Sequence, residues 1–207
     1  MVTSMRARFL GRWILLVSIG EATGFAVAAA VAVLTIVWGT PEPWRLLLIV
    51  VAGAVEGAAL ATGQYAAMAA RRPRRALWIG ATAGAAALAW LIGMLPSTLG
   101  LDLDPAAAIP LLVVGGLVLL ATIPVAQWLA LRREGARRWV PVTMGAWSVA
   151  VLWTAAPSPL VDEASPVWLI ATLYVIAGML MAVTVASLTA TTAWSLFGAP
   201  AVARHRP

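Results

Sequence analysis

The sequence predicts an all-α integral membrane bundle of six transmembrane helices, and three observations lead there. Of the 207 residues, 62% are hydrophobic and only 11% charged, whereas a soluble domain has about a quarter charged. The apolar residues fall into six blocks, each suited to crossing a hydrocarbon core of ~30 Å at ~1.5 Å per residue. Thirteen of the fourteen arginines, Arg6, Arg8, Arg12, Arg71, Arg72, Arg74, Arg75, Arg132, Arg133, Arg137, Arg138, Arg204 and Arg206, fall on one side of such a bundle. Only Arg45 falls on the other, with Glu42, Asp102, Asp104, Asp162 and Glu163. Positive charge is retained on the cytoplasmic side. The expected setting is a bacterial cytoplasmic membrane with both termini cytoplasmic, the chain forming one transmembrane domain over 1–207.

The first span is expected at 13–39, interrupted only by Glu21. The segment before it has the look of a signal peptide, but the apolar part is too long for one and five more spans follow, so it reads as a retained helix. Thr40-Pro41-Glu42-Pro43 ends it, and Pro43 suits the first turn of the next helix. Span two, 46–70, has Glu56 as its only charge and runs into the cluster Arg71, Arg72, Arg74 and Arg75. Span three, 76–95, stops at Pro96-Ser97. Asp104-Pro105, a cap residue and a first-turn proline, starts span four at 105–131. Span five, 139–156, stops at Pro157-Ser158-Pro159. Ser165-Pro166 is a second cap-and-proline start, for span six at 166–190. The apolar remainder, 191–203, is either a tilted extension of span six or a helix lying in the interface.

Spans two and three resemble spans four and five. Trp78, Thr82, Gly84, Ala85, Ala89, Leu91, Pro96 and Ser97 recur 61 residues later as Trp139, Thr143, Gly145, Ala146, Ala150, Leu152, Pro157 and Ser158. Leu48, Val50, Val51, Gly53, Gln64 and Ala67 recur 63 residues later as Leu111, Val113, Val114, Gly116, Gln127 and Ala130. The two hairpins run in the same direction, a parallel repeat of a kind that transporters use. Span six followed by span one can form a third, permuted unit, which would set Gly178 near Gly57, and Trp13 with Gly20 near Trp78 with Gly84. The bundle is thus expected to be a duplicated hairpin, triplicated if the permuted unit forms. A Gly-rich helix, then Gln64-Tyr65 or Gln127-Trp128, then arginines, resembles small uncharacterised bacterial polytopic membrane proteins with repeated G-x-x-x-G…Q-W-x-x-x-R-R helices. The resemblance covers spans two to five and implies no activity.

Composition removes several chemistries. There is no cysteine, hence no disulfide, thiolate metal site or thiol catalysis. No lysine is present, and the single histidine is His205. No G-x-S-x-G, Walker or metal-ligand pattern occurs, so no enzyme activity, cofactor or metal is expected. The net charge of +6 sits at helix ends, where it orients the chain and attracts anionic lipid headgroups rather than nucleic acid.

The residues left to carry function are Glu21, Glu56, Gln64 and Gln127. Counted from their helix ends, Glu21 lies ~12 Å and Glu56 ~14 Å from the cytoplasmic face. The acids should therefore meet on neighbouring helices. Neither recurs in the repeat, where Ala81 and Leu119 stand. A charge at that depth needs pairing, hydration or neutralisation, so an intramembrane acid is a functional candidate. Two close carboxylates favour a shared proton or a bound cation. The competing account has each acid protonated and hydrogen-bonded to a Ser, Thr or Trp. Gln64 and Gln127 either line a polar cavity or hydrogen-bond between helices, the second being the plainer account. Gly20 with Gly24, Gly53 with Gly57, and Gly80 with Gly84 are expected at close helix contacts. Trp13, Trp38, Trp44, Trp78, Trp139 and Trp168 are expected as interfacial anchors. Two function classes follow. One is a small transporter, or a transport-system membrane subunit, that binds a proton, cation or basic solute at the acid pair. The other is a non-catalytic scaffold or assembly subunit packing against a membrane-protein partner or a second copy, through small-residue faces or Ala26 and Ala30.

Overall fold

The computed structural model describes residues 2–100, 104–133, 135–162 and 165–198. Its helices are α1 (Val2–Val37), α2 (Trp44–Ala67), α3 (Arg75–Thr98), α4 (Pro105–Leu131), α5 (Trp139–Ala150), α6 (Leu152–Ala155) and α7 (Val167–Ala193). α5 and α6 together make one apolar span, so six segments are long and apolar enough to cross a membrane. Each span packs against its neighbours in sequence, and α7 closes onto α1. The result is a six-membered ring, an all-α bundle with no strand among the described residues. Asp102, Glu163, Arg204, His205, Arg206 and 199–203 lie outside the described residues.

Several boundaries differ from the sequence expectation, each for a local reason. α1 begins at Val2 rather than near 13, because its first turns have packing to make: Phe9 stacks on Trp13 and meets Trp194 edge-on. α2 ends at Ala67, not 70, since Met68 turns extended (ψ 136°). The N–H groups of Ala69 and Ala70 then donate to the Phe197 carbonyl at 3.2 and 2.7 Å. Pro43 sits just before α2, not inside its first turn. α3 runs through Pro96 to Thr98, as a proline so near a helix end disturbs little more than one turn. The Ser97 and Thr98 hydroxyls bond the Met94 carbonyl there. Asp104 does cap α4, accepting from the Ala106 N–H at 2.9 Å. Ser165 does not cap α7. Its hydroxyl donates to Asp162 Oδ1 at 2.8 Å and closes the preceding turn, leaving Pro166 at the cap position. Residues 191–198 extend span six: α7 continues to Ala193 and widens into a π-turn over Trp194–Gly198.

The basic end of the ring is filled by aromatics. Trp13, Trp78, Trp139 and Phe197 are all 0% exposed. Trp139 lies 6.1 Å from Trp13 and 6.5 Å from Trp78, centroid to centroid. Phe197 packs on all three at 5.9 to 6.1 Å. This corrects the reading of Trp13, Trp78 and Trp139 as interfacial anchors: one helix of each hairpin offers its tryptophan to a common axial plug. Trp38, Trp44 and Trp168 remain 61 to 73% exposed, as anchors should be.

Arg133 ties this plug down. Its guanidinium donates to the carbonyls of Arg71 and Leu196 and lies 5.9 Å from the Phe197 ring centroid. Burial, with Arg71 alongside, pulls its pKa below the ordinary arginine value. Arg71 and Arg132, each in the loop that follows its helix, both take left-handed backbone (φ 52° and 49°). Arg133→Ala is expected to release the 194–198 turn at a cost of about 2 kcal/mol, the loss of charge-assisted bonds. Limited proteolysis from the C-terminal side would reveal it as faster cleavage within 191–198.

Candidate functional site

The site starts from glycine. A Cβ on Gly20 would lie 2.6 Å from the Ala59 carbonyl oxygen, and one on Gly24 2.7 Å from Glu56 Cα. Only glycine at both positions lets α1 and α2 approach this closely. Glu21, next to Gly20, is thereby sealed at 0% exposure, and Glu56 at 8%. The two carboxyls lie close enough to interact electrostatically, and two carboxyls so placed favour a shared proton or a bound cation. Among the described residues neither Glu21 oxygen has a donor. Glu56 Oε2 accepts from Trp90 Nε1 at 2.7 Å. Gly53 makes that bond possible, because a Cβ there would overlap the Trp90 indole.

Beyond Glu56 lies a cavity of about 430 Å³, bounded by Glu56, Trp90, Phe25, Trp147, Met94 and Met181 among others. Val151, at the break between α5 and α6, belongs to its wall. Trp90 is twelve residues along α3 from Trp78, and Trp147 eight along α5 from Trp139. The cavity therefore sits ~12 to 18 Å above the aromatic plug, which closes the axis on the arginine side.

Gln64 and Gln127 come together, but away from the acids. Gln127 Nε2 donates to Gln64 Oε1 at 2.8 Å and to Thr82 Oγ1 at 3.1 Å, and Trp139 Nε1 donates to Gln127 Oε1 at 2.8 Å. Gln64 lies eight residues from Glu56 on α2, ~12 Å along the helix. The four candidate residues thus form two groups: an acid pair facing a cavity, and an amide pair bonding α2 to α4 beside the plug.

Other expectations divide similarly. Gly57 is at a tight contact, its added Cβ 2.7 Å from the Thr82 carbonyl oxygen, whereas Gly80 and Gly84 have nothing within 4 Å and face outward. Gly178 packs against Phe25. Trp90, Phe25 and Trp147 escaped sequence reasoning. The available signal was Trp90 itself, a tryptophan too far from either end of its span to be an anchor. No three histidines or acids assemble among the described residues. The chain matches no protein-family model, no curated protein and no solved structure.

Proposed function

We propose that the protein is a small transporter, or the solute-binding membrane subunit of a transport system, in which Glu21 and Glu56 bind a proton, cation or basic solute without converting it chemically. The observation that carries this is a buried acid without a donor among the described residues, Glu21, beside a second acid that borders a cavity. A protein designed only to stand in lipid would gain nothing from it, because unsatisfied carboxyls in an apolar interior are costly. With the arginine end cytoplasmic and anionic headgroups meeting Arg132, Arg133 and Arg137 around their shallow depression, the cavity faces the outer half of the membrane, above a closed plug.

One observation favours the scaffold reading as a second choice. Gly80 and Gly84 are open, and Ala26 and Ala30 are exposed on α1, so small-residue faces remain for a partner helix. Gly53 and Gly57 are not among them, being occupied within the bundle.

The test is thermal unfolding of detergent-purified protein across pH, wild type beside Glu56→Gln. A proton or ion that binds the folded state must shift its apparent stability. The wild type should show a melting temperature that moves with pH across the range in which the pair exchanges its proton, and Glu56→Gln should flatten it. Coincident curves would leave the acids as structural groups and put the scaffold ahead.

A further inference from the structure

We infer that the cavity takes a lipophilic organic monocation, bound in exchange for the proton held between Glu21 and Glu56. The inference rests on the acid-pair reading above and narrows it to one class of solute.

The cavity wall decides the class by elimination. An anion is excluded because no arginine lines the wall, which is formed by Phe25, Trp90, Trp147 and aliphatic side chains around Glu56. A sugar or other polyol needs many hydrogen-bond partners, and beyond Glu56 and the Trp90 N–H already bound to it the wall offers little except Thr154. Thr154 Oγ1 is itself turned to the Val151 carbonyl at 2.6 Å. A bare alkali or alkaline-earth ion needs several oxygen ligands, six to eight for calcium. Glu56 offers one oxygen not taken by Trp90, and Glu21 stands behind it. The volume of about 430 Å³ lies at the small end of the range for organic ligands, about 300 to 1,000 Å³.

A compact cation with an apolar body satisfies each of these at once. Its charge meets Glu56 Oε1, and its body meets the aromatic faces, which attract cations most strongly where water is excluded. The exchange balances in charge and atoms. The cation enters, the proton shared by the two acids leaves to solvent, and the pair with its occupant keeps the single negative charge that it carried with the proton. Glu21, with no donor among the described residues, is the acid that adjoins Glu56 and carries the second half of that balance.

Benzyltrimethylammonium is a suitable probe for full-length protein in weakly buffered detergent solution. It carries no exchangeable proton, so any proton released comes from the protein. It should bind saturably and release protons, while its uncharged isostere neopentylbenzene, sodium and potassium should release none. Glu56→Gln should weaken binding by roughly 30-fold or more, as loss of one partner of a desolvated charge pair does, and abolish proton release. Gly93→Leu fills the cavity from α3, where an added Cβ meets only Leu119 at 3.4 Å, and touches neither acid. It should block the organic cation while leaving the pH dependence of melting intact. It also decides the matter if Glu56→Gln does not fold: unchanged binding in Gly93→Leu overturns the cavity assignment. Proton release by sodium or potassium, with the organic cation inert, overturns the solute class and spares the acid pair. No release by any cation, with wild type and Glu56→Gln melting alike at every pH, overturns both.

Discussion

Gly57→Leu is expected to destabilise the bundle by about 3 kcal/mol, while Gly84→Leu, in the same kind of sequence pair, changes stability by no more than about 0.5 kcal/mol. The difference lies in what the new side chain meets. At Gly57 a Cβ would sit 2.7 Å from the Thr82 carbonyl oxygen, 3.0 Å from Ala83 Cα and 2.5 Å from the Ala86 Cβ. Two of these atoms belong to the α3 backbone, which cannot rotate away as a side chain can. α2 and α3 must separate, and packed interfaces yield poorly because neighbouring contacts are lost together. At Gly84 nothing lies within 4 Å, so leucine projects outward and improves helix propensity slightly. Thermal unfolding in detergent, monitored by retention of the monodisperse peak, gives both values. Equal losses at the two sites would mean that the outer face of α3 is covered in the native assembly, and so would point to a partner there. The same comparison bears on function, because separation of α2 from α3 also moves Trp90 away from Glu56.

Composition and arginine placement sufficed for the fold because a membrane span is specified by length and polarity, properties additive along the sequence. The same residues left the interior undetermined. Trp13, Trp78 and Trp139 have the one-turn-from-the-arginines spacing of interfacial anchors, yet they point inward. Facing direction depends on how the ring closes, a non-local fact. The acid pair was legible for the opposite reason: depth along a helix follows from residue count, so Glu21 and Glu56 could be set at one level before any helix was placed. Their partner was not legible. The Trp90 bond to Glu56 crosses 34 residues and depends on Gly53 being vacant of side chain, which sequence spacing presents merely as a small-xxx-small pair. The cavity is likewise a product of shapes on six different spans, and no local pattern encodes it.

Gln127→Leu should cost about 2 kcal/mol or more without altering the solute and proton binding proposed for the acid pair. Gln127 is fully buried and serves three partners at once, Gln64, Thr82 and Trp139. A leucine of similar size keeps the volume but leaves Gln64 Oε1 and Trp139 Nε1 without their bonds, and each orphaned buried group costs ~1 to 3 kcal/mol. An isolated interhelical bond in a membrane averages only ~0.6 kcal/mol, so the expected loss is carried by the orphans rather than by the bonds. That distinction is measurable. Gln64→Leu added to Gln127→Leu removes one orphan, and the double variant should be destabilised by less than the sum of the single ones. An additive result would mean that water reaches these groups and the plug is not dry. The network also locates where the pseudo-threefold pattern fails. Trp13 donates to Thr189 at 3.2 Å and Trp139 to Gln127, each to the preceding span of its own hairpin. Trp78 should find Gln64 in the same way, but Gln64 accepts from Gln127 instead and Trp78 Nε1 has no partner among the described residues. The missing bond falls in the α2–α3 hairpin, the one that also bears Glu56 and Trp90. The departure from symmetry at the plug and the Glu56–Trp90 bond are therefore on the same two helices, the pair whose packing would connect a solute at the proposed site to the plug.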